Sequence, residues 1–255
     1  MSYSRFIALG DSLSADLYPA RAVADDVAAV APHDDLPRGL GAAALFYRND
    51  RGRWPALDGQ DLETRFPGIR FENEHWFDHP ARHPTDHLAT SGSTTVSVLA
   101  YQLTRVSPSD DRVLVTLTVG RDDALRMLGA PRPPATLVAT MADRARRVLE
   151  TIRAKLPNAD VLVTTVVDPT SGTGTLDGET DVSREVGWLQ AYNEELRRLV
   201  AATPGTRLAD AHRHFLGHGV AAAPDERWVW PPAPFELNDR GASELRRVWW
   251  ETLTA

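Results

Sequence analysis

An apolar run near the start of the chain ends abruptly in a polar turn, and this feature constrains the fold most strongly. Residues Phe6 to Leu9 are all apolar, and Gly10, Asp11 and Ser12 follow directly. A short uninterrupted apolar run is typical of a strand that is buried on both faces. Ligands of open α/β sheets bind at the carboxyl ends of strands, so Ser12 is a candidate functional residue. In the alternative interpretation, Asp11 or Ser12 only caps the following segment.

The rest of the chain alternates strand-like and helix-like segments. Further strands are predicted at Arg112–Val119, Val161–Val167 and Thr206–Ala209. Helices are predicted at Thr94–Thr104, Ala139–Leu156, Val186–Ala201 and Gly241–Leu253. This alternation predicts a doubly wound α/β fold with a parallel sheet, and 255 residues suit one domain, residues 1–255.

Composition and charge narrow the choice of partners and compartment. The chain has no cysteine and a formal net charge of −7. The acidic balance argues against nucleic acid as a partner, and the lack of cysteine excludes disulfides, thiolate metal sites and a cysteine nucleophile. No apolar run approaches the ~20 residues of a membrane-spanning helix, so no membrane partner is expected. The first residues lack the apolar core of a signal peptide, so we expect a cytoplasmic protein.

The stretch after the first strand is irregular. Residues 15–77 contain a candidate helix at residues 20–31 and then mix aromatic with charged residues without clear periodicity. Long connections inside compact domains are usually functional, so this stretch is a candidate lid over the crevice, with Arg48 facing a substrate. In the alternative interpretation, the aromatic residues pack a surface layer and Arg48 forms a salt bridge.

Histidines recur at intervals of four residues in the next segment, at His75, His79, His83 and His87. On an unbroken helix this spacing would place four imidazoles on one face and would suit a metal ion. Pro80 and Pro84 do not allow that helix, so no metal site is expected here. His87 either approaches the crevice or holds a loop by hydrogen bonds.

Three later turns follow the Gly-Asp-Ser turn in a consistent order. Gly92 lies in a Ser-Gly-Ser-Thr-Thr turn after a short candidate strand, and Gly120 begins Gly-Arg-Asp-Asp after the most strand-like segment. Residues 236–241 read Glu-Leu-Asn-Asp-Arg-Gly and open the last helix. Together these blocks resemble those of the SGNH/GDSL hydrolase superfamily, whose members are mostly esterases, lipases, acetylesterases and thioesterases. The resemblance implies a flavodoxin-like three-layer α/β/α sandwich and a small ester or acyl substrate.

The resemblance assigns roles to individual residues. Ser12 matches the nucleophile, and the N–H groups of Ser12 and Gly92 match two donors of the oxyanion hole. The third block departs from the family, because Asp122 stands at the position of an asparagine donor and an ionised carboxylate only accepts hydrogen bonds. The last block departs as well, because Glu236 and Ala233 stand at the positions of the family's histidine and aspartate.

The general base is therefore open, because a serine nucleophile needs an adjacent base. Glu236 is one candidate, although a carboxylate is a weak base unless burial or nearby carboxylates increase its proton affinity. Three carboxylates could surround Glu236: Asp11, Asp122 and Asp123. Two arginines, Arg121 and Arg240, could instead neutralise this carboxylate cluster. Five residues are candidate substrate-binding residues: Asp11, Arg48, His87, Arg121 and Asp123.

A displaced histidine is the other candidate base. His212, His214 and His218 directly precede the last block, and His218 is the first choice because it lies between two glycines. In the alternative interpretation, these histidines order the loop around Trp228 and Trp230.

Three functions are compatible with this constellation. The first is an esterase-like hydrolase that acts on a small acyl or acetyl ester through Ser12. The second is a non-hydrolytic enzyme in which Asp122 and Glu236 perform general acid–base chemistry. The third is a binding protein that kept the crevice and lost the triad. No cofactor is expected, although a divalent cation held by the carboxylates is compatible with the second and third functions.

Overall fold

Strands and helices alternate along the described part of the chain, which comprises residues 2–14, 41–71, 92–126, 134–176, 178–231 and 233–255 of a computed structural model. The strands are β1 (Arg5–Gly10), β2 (Arg70–Phe71), β3 (Val113–Thr118), β4 (Asp160–Thr164), β5 (Thr175–Leu176), β6 (Thr180–Asp181), β7 (Thr206–Ala209), β8 (Val229–Trp230) and β9 (Ala233–Leu237). The helices are α1 (Ala42–Tyr47), α2 (Leu62–Arg65), α3 (Thr95–Ser97), α4 (Leu103–Arg105), α5 (Arg121–Leu125), α6 (Pro134–Lys155), α7 (Ser183–Ala202), α8 (Ala211–His214) and α9 (Asp239–Thr254). A 3₁₀ turn spans Pro55–Leu57, and a π-helical turn, Val98–Gln102, joins α3 to α4.

The main sheet contains five parallel strands in the order β2-β1-β3-β4-β7. Counted within this sheet, that is the 2-1-3-4-5 order of flavodoxin-like folds, whose ligand crevice lies at the switch point between the first and third strands. All residues of β1 and β3 are buried, which explains why both strands consist mainly of apolar residues. The α/β/α fold predicted from the sequence is confirmed.

Apolar cores cover both faces of the sheet, because alternate side chains of a strand point to opposite faces. Ile7 and Leu9 of β1 belong to the core that includes α6 and α7, whereas Phe6 and Ala8 belong to the core that includes α1 and α9. Trp249 of α9 also donates its indole N–H to Thr164 Oγ1 at 2.8 Å. The helix therefore meets β4 through both apolar and polar contacts.

Part of the candidate lid belongs to the core. The side chains of Ala42 to Phe46 in α1 are buried, as are those of Leu62, Ile69 and Phe71. Arg48 is exposed and its guanidinium is paired with Glu63 at 2.7 Å, as in the salt-bridge interpretation. The remaining parts of the candidate lid, with the candidate helix at residues 20–31 and the histidines from His75 to His87, lie outside the described residues.

The end of the fourth predicted strand and the segment after Gly120 differ from the sequence predictions. The fourth predicted strand extends to Val167, but β4 ends at Thr164 because the Asn193 side chain bonds the N–H and the carbonyl of Val166 at 2.8 and 2.9 Å. The segment after Gly120 forms the short helix α5, which the sequence analysis did not predict. The helix predicted at Thr94–Thr104 is present, with the π-helical turn inside it.

A polar cluster links the amino ends of three strands. The Tyr3 hydroxyl donates to Asp160 Oδ2 at 2.5 Å, and the Arg112 guanidinium donates to the same oxygen at 2.8 Å. Burial alone would raise the pKa of Asp160, but the hydrogen bonds from Tyr3 and Arg112 outweigh it and hold that pKa below its usual value. Burial and the Asp160 carboxylate raise the pKa of Tyr3 to about 12. Asp160 is therefore ionised in the native protein at neutral pH.

Asp160→Asn is expected to lower the free energy of unfolding by about 1–3 kcal/mol at pH 7, because it weakens charge-assisted hydrogen bonds to Tyr3 and Arg112. The native pKa of Asp160 is lowered, so its ionisation stabilises the fold above the unfolded pKa of about 3.9 and this stabilisation is lost as pH falls through the native pKa. Urea unfolding at pH 7 and pH 3 measures the difference, which should shrink at pH 3. The exposed Asp225→Asn is the control, and equal losses in the two variants would contradict the prediction.

Candidate active site

Two glycines allow the ends of β1 and β3 to turn sharply. Gly10 has φ +126°, and a Cβ there would lie 1.9 Å from the Thr118 carbonyl oxygen. Gly120 has φ +111°, and a Cβ there would lie 2.1 Å from the Tyr192 ring. Both positions therefore require glycine. The turns place Ser12 and the residues after Gly120 at the same edge of the sheet, at its switch point.

The hydroxyl of Ser12 lies between a carboxylate and a guanidinium. Its Oγ is 2.8 and 2.6 Å from Oε1 and Oε2 of Glu236, and 2.7 Å from a terminal nitrogen of Arg121. An ionised carboxylate only accepts hydrogen bonds, and a guanidinium only donates them. The Ser12 hydroxyl therefore donates to Glu236 and accepts from Arg121, which fixes the direction of its proton.

Arg121 connects the first, third and last blocks of the site. One terminal nitrogen donates to the Phe235 carbonyl at 2.7 Å, and the other donates to Asp122 Oδ2 at 2.9 Å and lies 3.4 Å from Glu236 Oε1. Its Nε lies 3.9 Å from Asp11 Oδ2. Burial alone would lower the pKa of Arg121, but the three carboxylates raise it above its usual value. Arg121 is therefore a permanent cation inside the carboxylate cluster.

Asp11 is the most deeply buried carboxylate of this cluster, with 1% of its surface exposed. Its Oδ1 accepts a hydrogen bond from the Leu13 N–H at 3.1 Å. Burial raises the pKa of Asp11 to about 7 against the opposing effect of Arg121, and the charges of Asp122 and Glu236 add to the rise. Asp11 therefore binds a proton more readily near neutral pH than an exposed aspartate does.

The carboxylates of the third block face different partners. Asp122, at the position of the family's asparagine donor, directs Oδ2 at Arg121. Asp123 accepts hydrogen bonds from the N–H and hydroxyl of Thr95 at 2.8 and 2.6 Å, and burial raises its pKa. It also lies 3.7 Å from Arg144. Asp123 thus holds the second block, whereas Asp122 belongs to the group around Ser12.

Backbone donors lie in the first and second blocks. Gly92 has φ +76°, and its carbonyl accepts a hydrogen bond from Arg126 at 3.0 Å. Among the described residues, the backbone N–H groups of Ser12 and Gly92 have no hydrogen-bond acceptor. The candidate strand before Gly92 lies outside the described residues.

The histidines before the last block do not contact Ser12. The His218 ring stacks on Trp228 with centroids 3.5 Å apart, and its Nδ1 is 2.7 Å from the Glu226 carbonyl oxygen. His214 is paired with Glu244 at 2.9 Å. These contacts match the interpretation in which the histidines order the loop around Trp228. Arg240, predicted as a neutralising cation, donates to the Asp225 carbonyl instead, and His87 lies outside the described residues.

The last block carries Glu236 on β9, directly before the start of α9. Asn238 is the N-cap of α9 and accepts a hydrogen bond from the Gly241 N–H at 2.8 Å. A Cβ at Gly241 would lie 2.0 Å from the Trp228 carbonyl oxygen, so this close approach requires glycine. The spacing of Asn238 and Gly241 thereby fixes where β9 ends and where Glu236 lies.

Two polar side chains that hold this site were missed from the sequence. Thr95 bonds Asp123, and Gln102 bonds the backbone of Gly10 and the hydroxyl of Ser93. The signal available in the sequence was that Thr95 and Gln102 are polar residues on a helical segment whose apolar residues Val98 and Leu103 are buried beside them. That signal indicates burial but does not identify the partner.

Neither a metal site nor a membrane-spanning helix is present in the described ranges. No group of three or more histidine or acidic side chains in these ranges is arranged to hold a metal ion. No described helix combines the length and the apolar character that crossing a membrane requires.

The doubly wound sheet with Ser12 at its switch point fits the class of SGNH-type hydrolases that the sequence blocks resemble. The family model of GDSL-like lipases and acylhydrolases matches residues 8–242. The chain therefore belongs to the GDSL-like lipase/acylhydrolase family and is an esterase-like hydrolase, and the resemblance predicted from the sequence is confirmed. A search of curated protein sequences found no match.

Solved structures share the fold at low sequence identity. Phospholipase A1 from Streptomyces albidoflavus is 20% identical with a TM-score of 0.58, covering 98% of this chain and 100% of its own. An extracellular lipase from Streptomyces rimosus is 18% identical with a TM-score of 0.55, covering 98% and 99%. A catalytic mutant of an acetylxylan esterase from Geobacillus stearothermophilus is 15% identical with a TM-score of 0.57, covering 100% and 95%.

Proposed function

We propose that the protein hydrolyses a small ester, with Ser12 as the nucleophile and Glu236 as the general base. The observation that carries this proposal is the Ser12 hydroxyl, which lies 2.6 Å from a Glu236 oxygen and 2.7 Å from a nitrogen of Arg121. A general base must lie within about 2.6–3.2 Å of the proton that it removes, and Glu236 meets this condition directly.

The acylation step follows from this geometry. Glu236 removes the Ser12 proton while Oγ attacks the ester carbonyl carbon. The N–H groups of Ser12 and Gly92 donate to the oxyanion that forms. When the tetrahedral intermediate collapses, the bond to the alcohol breaks and protonated Glu236 returns its proton to the alcohol oxygen. The acyl group is then bonded to Ser12.

Deacylation uses the same groups in reverse. Glu236 removes a proton from a water molecule, whose oxygen attacks the acyl carbon. The bond to Ser12 Oγ breaks, Ser12 regains its proton from Glu236, and the carboxylic acid leaves.

Arg121 supports a base that is weaker than histidine. Its cation lies 2.7 Å from Ser12 Oγ, so it stabilises negative charge that develops on this oxygen when the proton leaves. Asp122 keeps Arg121 in place through hydrogen bonds of 2.9 and 3.3 Å to one carboxylate oxygen. In this proposal Asp122 orients the cation and is not an oxyanion donor.

The proposal is tested with p-nitrophenyl acetate and a serine-directed phosphonate. Wild-type protein should turn over the ester and gain one phosphonate adduct by mass spectrometry, because Ser12 is activated on both sides. Ser12→Ala should do neither, whereas the exposed Ser107→Ala should match wild type. Equal turnover in wild type and Ser12→Ala would overturn the proposal and would favour the acid–base or binding functions.

The acyl group is proposed to be small, and this can be measured separately. Similar structures are described as a phospholipase, a lipase and an acetylxylan esterase, so they do not point to one substrate. A series of p-nitrophenyl esters from acetate to laurate should give its highest kcat/KM at acetate. A maximum at a long chain would contradict the small-acyl proposal while leaving the roles of Ser12 and Glu236 intact.

A further inference from the structure

We infer that Gln102 is a positioning residue for the nucleophile, because its side-chain amide ties the end of β1 to the second block. This inference rests on the proposed function of Ser12. Gln102 touches neither Ser12 nor a reacting atom in the proposed mechanism, so its contribution acts through the backbone on either side of the crevice.

The amide of Gln102 makes three hydrogen bonds in a buried environment. Its Oε1 accepts from the Gly10 N–H at 2.8 Å, and its Nε2 donates to the Gly10 carbonyl at 2.8 Å and to Ser93 Oγ at 3.1 Å. Only 4% of the residue surface is exposed. One side chain therefore contacts the residue two positions before Ser12 and the residue directly after Gly92.

Among the described residues, no strand pairs with the end of β1 on the side where Gln102 binds. Strand β2 pairs with β1 only at Arg5 and Phe6. On the other side, the Asp11 N–H donates to the Thr118 carbonyl of β3 at 3.1 Å. The Gln102 amide supplies to Gly10 the acceptor and the donor that a neighbouring strand would supply. It therefore holds the turn that leads to Ser12 from the side opposite to β3.

The bond to Ser93 extends this support to the oxyanion hole. The proposed oxyanion donors are the N–H groups of Ser12 and Gly92, which belong to separate chain segments. Such donors must lie within about 2.7–3.1 Å of the developing oxyanion. Because Gln102 binds next to both segments, it fixes the spacing between the two donors.

The local helix geometry brings Gln102 to this position. Gln102 is the last residue of the π-helical turn, in which the Leu103 N–H bonds the Val98 carbonyl. A π-helical turn adds one residue to the helix and changes the direction of the side chains after it, and such turns are frequent at functional sites. Val98 and Leu103 remain in the apolar core, while the polar Gln102 reaches the end of β1.

Gln102→Met is the main test, because methionine has a similar length and offers no strong donor or acceptor. We expect kcat for p-nitrophenyl acetate to fall by roughly 10- to 100-fold with KM nearly unchanged, since misplacement of about 1 Å has such effects. Ser93→Ala breaks only the link to the second block and should give a smaller loss of kcat in the same direction.

Asn193→Leu is the matched control. Asn193 holds the end of β4 in the same way, through hydrogen bonds of 2.8 and 2.9 Å to the backbone of Val166. Its replacement should lower the melting temperature to a similar extent as Gln102→Met while leaving kcat at the wild-type value. This comparison separates positioning of the nucleophile from a general loss of stability.

Each outcome decides between the inference and its alternatives. Wild-type kcat in Gln102→Met, or an equal loss of kcat in Asn193→Leu, would overturn the positioning role and leave the proposed function intact. If Gln102→Met does not fold, Ser93→Ala decides, because an unchanged kcat would overturn the role. Turnover that does not depend on Ser12 would instead overturn the proposed function, and the inference with it.

Discussion

Replacement of Glu236 by glutamine is expected to lower kcat for p-nitrophenyl acetate by about 10²- to 10⁴-fold, the usual contribution of a general base. The amide has nearly the same shape as the carboxylate and can still bond Ser12, but it cannot take up the Ser12 proton. KM should change little, because the substitution leaves the shape of the crevice unchanged. Steady-state kinetics, with folding checked by circular dichroism, measures this effect.

Two control variants make the Glu236 result interpretable. Glu251→Gln removes an exposed carboxylate from α9 and should leave kcat unchanged. His218→Ala tests the displaced histidine directly, and it should also leave kcat unchanged because the ring stacks on Trp228. A large loss in His218→Ala with wild-type activity in Glu236→Gln would reverse the assignment of the base.

The architecture could be predicted because its signals are local. Strands β1 and β3 are buried on both faces, so each has a mainly apolar sequence. Strand β1 ends at Gly10 and Gly120 follows shortly after β3, and the positive φ of both glycines marks the turns at the switch point. The long helices α6 and α7 show the periodicity of one apolar face. Each of these patterns depends on residues close together in the sequence.

The details of the site could be predicted only in part, because they depend on contacts across the chain. The family spacing placed Glu236 in the last block, 224 positions from Ser12. The sequence offered two cations, Arg121 and Arg240, for the carboxylate cluster, and gave no means to choose between them. Their choice depends on how deeply each side chain lies, because Arg121 is buried and Arg240 is exposed.

The predicted end of the fourth strand was wrong because a side chain takes the place of a neighbouring strand there, as one also does at the end of β1. Asn193 ends β4 before Val166, and Gln102 completes the end of β1. Both amides lie on helices that are distant in sequence from the backbone they bond. Hydropathy patterns detect that Val166 and Val167 are apolar. They do not detect that the buried Asn193 amide bonds the backbone N–H and carbonyl of Val166, which would otherwise be free to bond a neighbouring strand.

Arg121→Met is expected to lower the free energy of unfolding by about 3–5 kcal/mol at pH 8, the usual cost of removing one partner from a buried ion pair. The guanidinium is 4% exposed and lies within 4 Å of carboxylate oxygens of Asp11, Asp122 and Glu236. Its removal takes away the cation that pairs with these carboxylates. Urea unfolding at pH 8 measures the loss, and the same variant should have reduced kcat because Ser12 loses its donor.

The pH dependence of this loss identifies its cause. Burial raises the pKa of Asp11 to about 7 even with Arg121 beside it, so removal of the cation raises that pKa further. An unfolded aspartate has a pKa of about 3.9. Between this unfolded pKa and the raised native pKa of Asp11, the native state binds one proton more than the unfolded state, so the free energy of unfolding rises as pH falls. The destabilisation by Arg121→Met should therefore be clearly smaller at pH 5 than at pH 8.

Arg246→Met is the matched control for this test. Arg246 is also buried, but its guanidinium donates to uncharged groups, the side chains of Asn49 and Ser243 and the Leu45 carbonyl. Burial lowers the pKa of Arg246 to about 10, so the residue does not titrate between pH 5 and pH 8. Its replacement should destabilise the protein equally at both pH values. An equally pH-independent loss in Arg121→Met would mean that Arg121 stabilises the site by packing and hydrogen bonds and does not act as the counter-charge of its carboxylates.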